Sequence, residues 1–244
     1  MLGLPDAVTA CLFDMDGVIT QTAKVHDAAW KEMFDEFLRS WSADRHQPFV
    51  PFDPVGDYDE YVDGKPRLEG TSSFLESRGI KLPQGEETDA SGTQTLWGLS
   101  NKKNDLIQQV IERDGVQAYE GSVRYVNAAR EAGLRTAIVS SSANTEAVLK
   151  AAGVDGLFEV RVDHQVAEAD HLRGKPAPDT FLEAARLLSV EPANATVYED
   201  ALAGVAAGRA GKFGFVIGVD RVGQATELHA HGADVVVKDL ADLL

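Results

Sequence analysis

The chain has one cysteine, Cys11, in 244 residues, so no internal disulfide can form. Free cysteine is among the most buried residue types, and Cys11 lies in the first apolar run, so it reads as packing and not as a reactive thiol. Basic residues are scarce beside acidic ones, 23 against 39, for a formal net charge of -16. A field of that sign repels phosphate backbones and anionic lipid, so neither nucleic acid nor a membrane is an expected partner. An anionic small substrate remains compatible, because a metal ion and a few lysines and arginines make a local positive site on a negative protein. No apolar run reaches transmembrane length. The opening residues Met1 to Asp6 carry neither a basic region nor a long apolar stretch, so a cytoplasmic enzyme is expected. Internal repeats and low-complexity tracts are absent, and His46, His164, His171, His229 and His231 show no ligand-like spacing with other donors.

What is present is an ordinary globular composition, 44% hydrophobic and 25% charged, enough for a substantial core. Short continuous apolar runs at Val8 to Phe13, Leu134 to Val139, Thr196 to Tyr198, Phe213 to Val219 and Ala233 to Val237 read as parallel strands covered on both faces. Helical patterns lie between them at Ser122 to Ala132, Asn144 to Ala152, Asp179 to Ser189 and Ala201 to Ala210, several closed by glycine. Alternation of this kind predicts an α/β fold, a Rossmann-like doubly wound parallel sheet. One segment breaks the rhythm. Residues 22–115 carry helical patterns at Lys24 to Ser40, Thr71 to Ser77 and Asn101 to Arg113 but no comparable strands, with Gln84 to Thr95 reading as an exposed loop. The expected organisation is a catalytic core from residues 1–21 and 116–244, interrupted by a helical cap at 22–115.

Asp14 and Asp16 end the first apolar run, where a strand gives way to a loop at the carboxyl edge of the sheet, the edge at which open α/β sheets bind ligands. An Asp-x-Asp pair alone often marks a solvated turn; here its partners downstream give it meaning. Ser140, Ser141 and Ser142 follow a second strand, Lys175 sits on a proline-fixed loop ahead of a helix, and Glu199 and Asp200 end another strand. A carboxylate nucleophile approaching a phosphate dianion needs a hard cation on oxygen ligands, so Asp14, Asp200 and a backbone carbonyl suit Mg2+. Ser140 and Lys175 would supply donors and fixed positive charge to the transferring oxygens. Asp16, held off the metal by its side chain, would carry the proton.

These motifs, in this order, resemble those of the haloacid dehalogenase superfamily and, within it, the β-phosphoglucomutase-like phosphatases and mutases. The resemblance spans essentially the whole chain and rests on Asp14-Met15-Asp16-Gly17-Val18, Ser140, Gly174-Lys175-Pro176-Ala177-Pro178-Asp179 and Glu199-Asp200. It implies that Asp14 is the nucleophile and Asp16 the general acid/base with its carbonyl on Mg2+. Asp200 is then a metal ligand, and Glu199 a direct or water-mediated one. Ser140, Ser141 and Lys175 bind the phosphate. In the same family the inserted domain is a cap that closes over the site, and the resemblance extends to substrate-binding positions at Thr22, His26, Trp30, Arg67, Lys103, Asn104, Ser142 and Asn144. The His26 and Lys103 pair corresponds to the gate that keeps the acid/base out of position until a sugar phosphate arrives, and Arg67 to the grip on the non-reacting phosphate. The chain departs from the pattern at Ala143, where mutases often carry lysine, and in a longer segment from Ser42 to Asp59.

The implied activity is interconversion of β-glucose 1-phosphate and glucose 6-phosphate by a monomer or weak dimer, with Mg2+ as cofactor and glucose 1,6-bisphosphate as activator. A small phosphorylated sugar is the partner. The alternatives are a sugar-phosphate phosphatase, in which water is the acceptor, and a non-catalytic sugar-phosphate sensor.

Overall fold

The computed structural model describes residues 2–244; Met1, first in the opening run read above, lies outside them. The chain runs β1 (Ala10–Asp14), α1 (Ala23–Asp44), α2 (Arg67–Ser77), α3 (Leu96–Asp114), α4 (Glu120–Glu131), β2 (Arg135–Val139), α5 (Thr145–Ala151), β3 (Val160–Val162), α6 (His164–Ala169), α7 (Asp179–Leu187), β4 (Ala195–Glu199), α8 (Leu202–Ala210), β5 (Phe215–Val219), α9 (Ala225–His231) and β6 (Val235–Val237). It divides into two compact units, one of Met1–Thr22 with Val116–Leu244 and one of Ala23–Gly115. None of the described helices is long and apolar enough to cross a membrane.

In the first unit all strand pairs are parallel, in the order β3-β2-β1-β4-β5-β6. This is a doubly wound α/β sheet whose strand order reverses beside β1, so the crevice between the ends of β1 and β4 is its topological switch point. Every residue of β1 is buried, which is why the run reads as continuous and not alternating. Ala10 and Leu12 pack on one face with Val139, Val197, Phe181 and Ala184. Phe13 takes the other face, stacked on Tyr198 at 4.3 Å with Tyr125 edge-on at 6.4 Å, and alternation of faces along the strand makes both sides apolar. Cys11 shares that second face. Its Sγ lies 3.3 Å from the Tyr198 hydroxyl, and burial pushes the thiol up to about 12, so it stays protonated and inert.

Three elements were not expected from sequence. Strand β3 has an exposed Arg161 between its two valines, too short for an apolar run to register. Helix α6 buries none of its residues, and α9 buries only Leu228, so neither shows an apolar stripe. Helix α8 follows β4 closely because its glycines permit it: a Cβ on Gly208 would stand 3.2 Å from Val197 and Val216.

The second unit is helical and has its own core of Trp30, Met33, Phe34, Phe37, Phe52 and Phe74, with the Phe34 and Phe74 rings 4.2 Å apart. Its helices α2 and α3 begin earlier than their apolar patterns suggest, at Arg67 and Leu96. Pro66 precedes the first, and Thr95 caps the second by accepting from Gly98 N at 2.9 Å.

Candidate active site

Asp14 is the last residue of β1 and stands in register with Val139, so Ser140 emerges beside it. The chain then turns sharply: Ile19 N and Thr20 N both donate to the Met15 carbonyl at 2.9 Å, and Gly17 N donates to the Thr20 carbonyl at 2.8 Å. Gly17 adopts a φ of 81°, and a Cβ there would fall 1.7 Å from Asp200 Oδ2. Only glycine suits that backbone and that contact. The turn brings Thr22 back to Asp16, whose Oδ1 accepts from the Thr22 hydroxyl; Thr20 and Thr22 hydroxyls lie 2.7 Å apart.

Lys175 reaches the same place from the loop before α7. Its buried Nζ pairs with Asp14 Oδ1 and lies 2.5 Å from Glu199 Oε1. Glu199 ends β4, fully buried, and its Oε2 accepts from Ala201 N at 2.9 Å. The carboxylate fits because Gly204 of α8 has no side chain: a Cβ there would stand 1.7 Å from Glu199 Oε1. One ligand atom from each of Asp14, Glu199 and Asp200 lies within 4.8 Å of the others. A hard dication holds oxygens at about 2.0–2.6 Å, so the carboxylates would have to draw closer together to hold one ion; Glu199 is already paired with Lys175. The Asp16 carboxylate is outside this trio and turned toward Thr22.

The electrostatics follow from crowding. Burial pushes the Asp14 carboxyl well above the usual carboxylate range; Lys175 opposes this, while Glu199 and Asp16 add to it. Burial would lower the Lys175 ammonium, but the Asp14 and Glu199 carboxylates outweigh it and hold lysine above its ordinary range. Lys175 is therefore held as a cation, and the pocket sets its one positive charge against the three carboxyl groups of Asp14, Glu199 and Asp200. That excess is what a bound dication would neutralise.

The serine cluster forms a chained turn. Ser140 Oγ accepts from Ser142 N and Ser142 Oγ accepts from Asn144 N, both at 3.1 Å, ahead of α5. Both hydroxyls keep their own protons to donate to an anion. Ser141 lies between them, half-buried.

The remaining expected positions lie in the second unit. Lys103, buried on α3, has its Nζ 3.0 Å from His26 Nδ1 and 4.8 Å from the Trp30 ring centroid. Asn104 follows it, half-buried. Arg67 opens α2, 5.5 Å from the Trp97 ring centroid and 3.9 Å from Glu87 Oε1. Sequence reasoning missed Arg221 and Gln224, which follow β5 and bind the backbone of the Asp14 to Gly17 turn and of Asp200. Their one available signal was position after the carboxyl end of an apolar strand.

A buried carboxylate beside a fixed ammonium, a trio of carboxylates close enough together to suit a cation and a hydroxyl-lined turn form a site fit for nucleophilic attack on an anionic, oxygen-rich electrophile. Comparison with known proteins agrees. A family model for haloacid dehalogenase-like hydrolases matches residues 8–212. A β-phosphoglucomutase of Mycobacterium tuberculosis is 53% identical over 247 aligned residues, covering 100% of this chain and 94% of its own length. That of Bacillus subtilis is 30% identical, covering 96% and 91%. The crystal structure of a β-phosphoglucomutase from Clostridium difficile superposes with a TM-score of 0.77 at 25% identity, covering 97% of this chain and 93% of that one.

Proposed function

We propose, for a chain that belongs to the haloacid dehalogenase superfamily and within it to the β-phosphoglucomutase-like family, that it interconverts β-glucose 1-phosphate and glucose 6-phosphate through an aspartyl phosphate on Asp14. The observation that carries this reading is the gathering of Asp14, Glu199 and Asp200 around buried Lys175 at the sheet's switch point. The sugar assignment draws on the mutases to which the chain is similar over its full length.

Asp14, Asp200 and the Asp16 carbonyl would hold Mg2+, whose charge lets a carboxylate approach a phosphate dianion. With Oδ1 held by Lys175, Asp14 would attack a phosphorus of glucose 1,6-bisphosphate through Oδ2, the sugar oxygen leaving with a proton from Asp16, while Lys175 with Ser140 and Ser141 takes the charge of the transferring oxygens. The sugar 6-hydroxyl then attacks the phosphorylated aspartate, and its proton passes to the Asp16 carboxylate. Asp14 next removes the phosphoryl group at C1, and protonated Asp16 returns its proton to the departing C1 oxygen. Glucose 1,6-bisphosphate is thus the intermediate and the activator that primes the enzyme. Thr22 orients Asp16 through its Oδ1. His26, Trp30, Arg67, Lys103 and Asn104 select the sugar phosphate from the inserted unit, with Ser142 and Asn144 contributing from the core.

The test is incubation with β-glucose 1-phosphate, Mg2+ and catalytic glucose 1,6-bisphosphate. Glucose 6-phosphate forming without stoichiometric inorganic phosphate is expected; phosphate released as fast as sugar is consumed would make the enzyme a phosphatase. Replacing Asp16 by asparagine should cut turnover by ~10²–10⁴-fold, the usual worth of a positioned proton carrier. Calorimetric Mg2+ affinity should hardly change, because in this reading the Asp16 carboxylate stays on Thr22 and out of the metal shell; a collapse of affinity would place it there.

The raised Asp14 carboxyl also fixes a pH dependence. Protons and Mg2+ compete for it, so apparent Mg2+ affinity should rise with pH until the metal-free carboxyl is ionised, then level off. Calorimetry in buffers of differing ionisation heat should detect proton release on binding. Affinity that is flat with pH, without proton release, would contradict the arrangement.

A further inference from the structure

The turn between β5 and α9 takes no part in the chemistry above, yet it holds both loops that carry the metal ligands. Asp220 Oδ1 accepts from Gly223 N at 2.6 Å and Gln224 N at 2.8 Å, and Asp220 N donates to the Val237 carbonyl at 2.8 Å. The segment is thereby folded back on itself and aims two side chains. Arg221 Nε donates to the Gly17 carbonyl at 2.7 Å and its Nη1 to the Lys238 carbonyl at 2.8 Å. The same guanidinium lies 3.6 Å from the Tyr119 ring centroid and 3.3 Å from Asp239 Oδ2. Gln224 Nε2 donates to the Asp200 carbonyl at 3.0 Å.

The two tethered loops also touch each other, since Asp200 Oδ2 occupies the space a Cβ on Gly17 would need. The pairing of β1 with β4 brings Asp14 and Asp200 to the same sheet edge, and three further links join the loops beyond it: the Gly17 and Asp200 contact, the arginine clamp on one loop and the glutamine clamp on the other. A planar guanidinium with rigid, divergent donors can bridge a carbonyl, a ring and a second carbonyl at once; an ammonium cannot. Hydrogen bonds that orient ligands from behind typically contribute roughly 10–100-fold to metal affinity or activity.

We propose that Arg221 and Gln224 are positioning residues for the divalent-cation site, fixing the Asp14 to Asp200 separation without touching the substrate. The inference rests on the reading of Asp14 and Asp200 as ligands of one cation. Its test is calorimetric titration of Mg2+ into the substrate-free full chain, supported by Mn2+ binding followed by electron paramagnetic resonance. Arg221→Ala and Gln224→Ala should each weaken cation binding roughly 10–100-fold, with KM for β-glucose 1-phosphate at saturating Mg2+ little changed. Millimolar guanidinium should restore part of the affinity of Arg221→Ala, whereas Arg221→Lys should remain weak.

Cooperatively melting variants that bind Mg2+ as tightly as the unaltered protein would overturn the proposal. Should Arg221→Ala fail to fold, Gln224→Ala decides, because it removes one hydrogen bond from a half-buried side chain. An unaltered protein that binds no divalent cation would defeat the metal reading itself, and the inference with it.

Discussion

Asp14→Asn should lower both isomerisation and any phosphate release by on the order of 10⁴-fold or more, the scale seen when a covalent catalytic group is removed. Asparagine keeps the side chain's volume at the end of a wholly buried strand, so the fold should survive. Without metal its stability relative to the unaltered protein should grow as pH rises, for a definite reason. Burial places the Asp14 carboxyl above its unfolded value, so ionising it costs the folded state stability progressively as pH rises between those two values. The neutral amide escapes that cost. Urea unfolding in chelator at acidic and alkaline pH, run beside the activity assay, therefore separates a chemical role from a structural one. Full activity in the variant would end the covalent mechanism.

The second large effect concerns Lys175. Lys175→Met should leave Asp14 and Glu199 facing each other in a buried pocket with no cation between them. Removing one partner of a buried pair typically costs about 3–5 kcal/mol. The loss should grow with pH. Without the ammonium the Asp14 carboxyl, already raised by burial, loses the group that opposes the rise, so stability is present when it is protonated and is lost as it ionises. Adding Glu199→Gln should recover part of it, since the amide still fits beside Gly204 and carries no charge. Turnover should fall at least ~100-fold in both variants, because the transferring oxygens lose their fixed positive partner. Chemical denaturation at two pH values checks the stability claims. A Lys175→Met protein as stable as the unaltered one, with no pH dependence, would mean that the lysine is not the counter-ion its position indicates.

Much of this site could be read from the chain because each part follows a rule of parallel sheets. A strand covered on both faces is a continuous apolar run, so the runs ending at Asp14, Val139 and Glu199 located three loops at one sheet edge. Glycine and proline around Lys175 marked the fourth. What could not be read was anything fixed by side chains meeting across long sequence separations. Gly204 looks like a packing glycine in sequence; in three dimensions its missing side chain makes room for Glu199. Arg221 and Gln224 carry no motif, and their partners are backbone carbonyls distant in sequence, at Gly17 and Asp200. Edge strand β3 and helices α6 and α9 were invisible because they bury too little apolar surface to leave a periodic trace.

The central claim is that a carboxylate of this chain accepts a phosphoryl group covalently with the help of a divalent cation. Brief exposure to glucose 1,6-bisphosphate, acid quenching, borohydride reduction and peptide mass spectrometry tests it, since reduction converts an aspartyl phosphate to homoserine. Homoserine should appear at position 14, in the presence of Mg2+ and not of chelator. Turnover without any homoserine at that position, or equal labelling in chelator, would contradict the account.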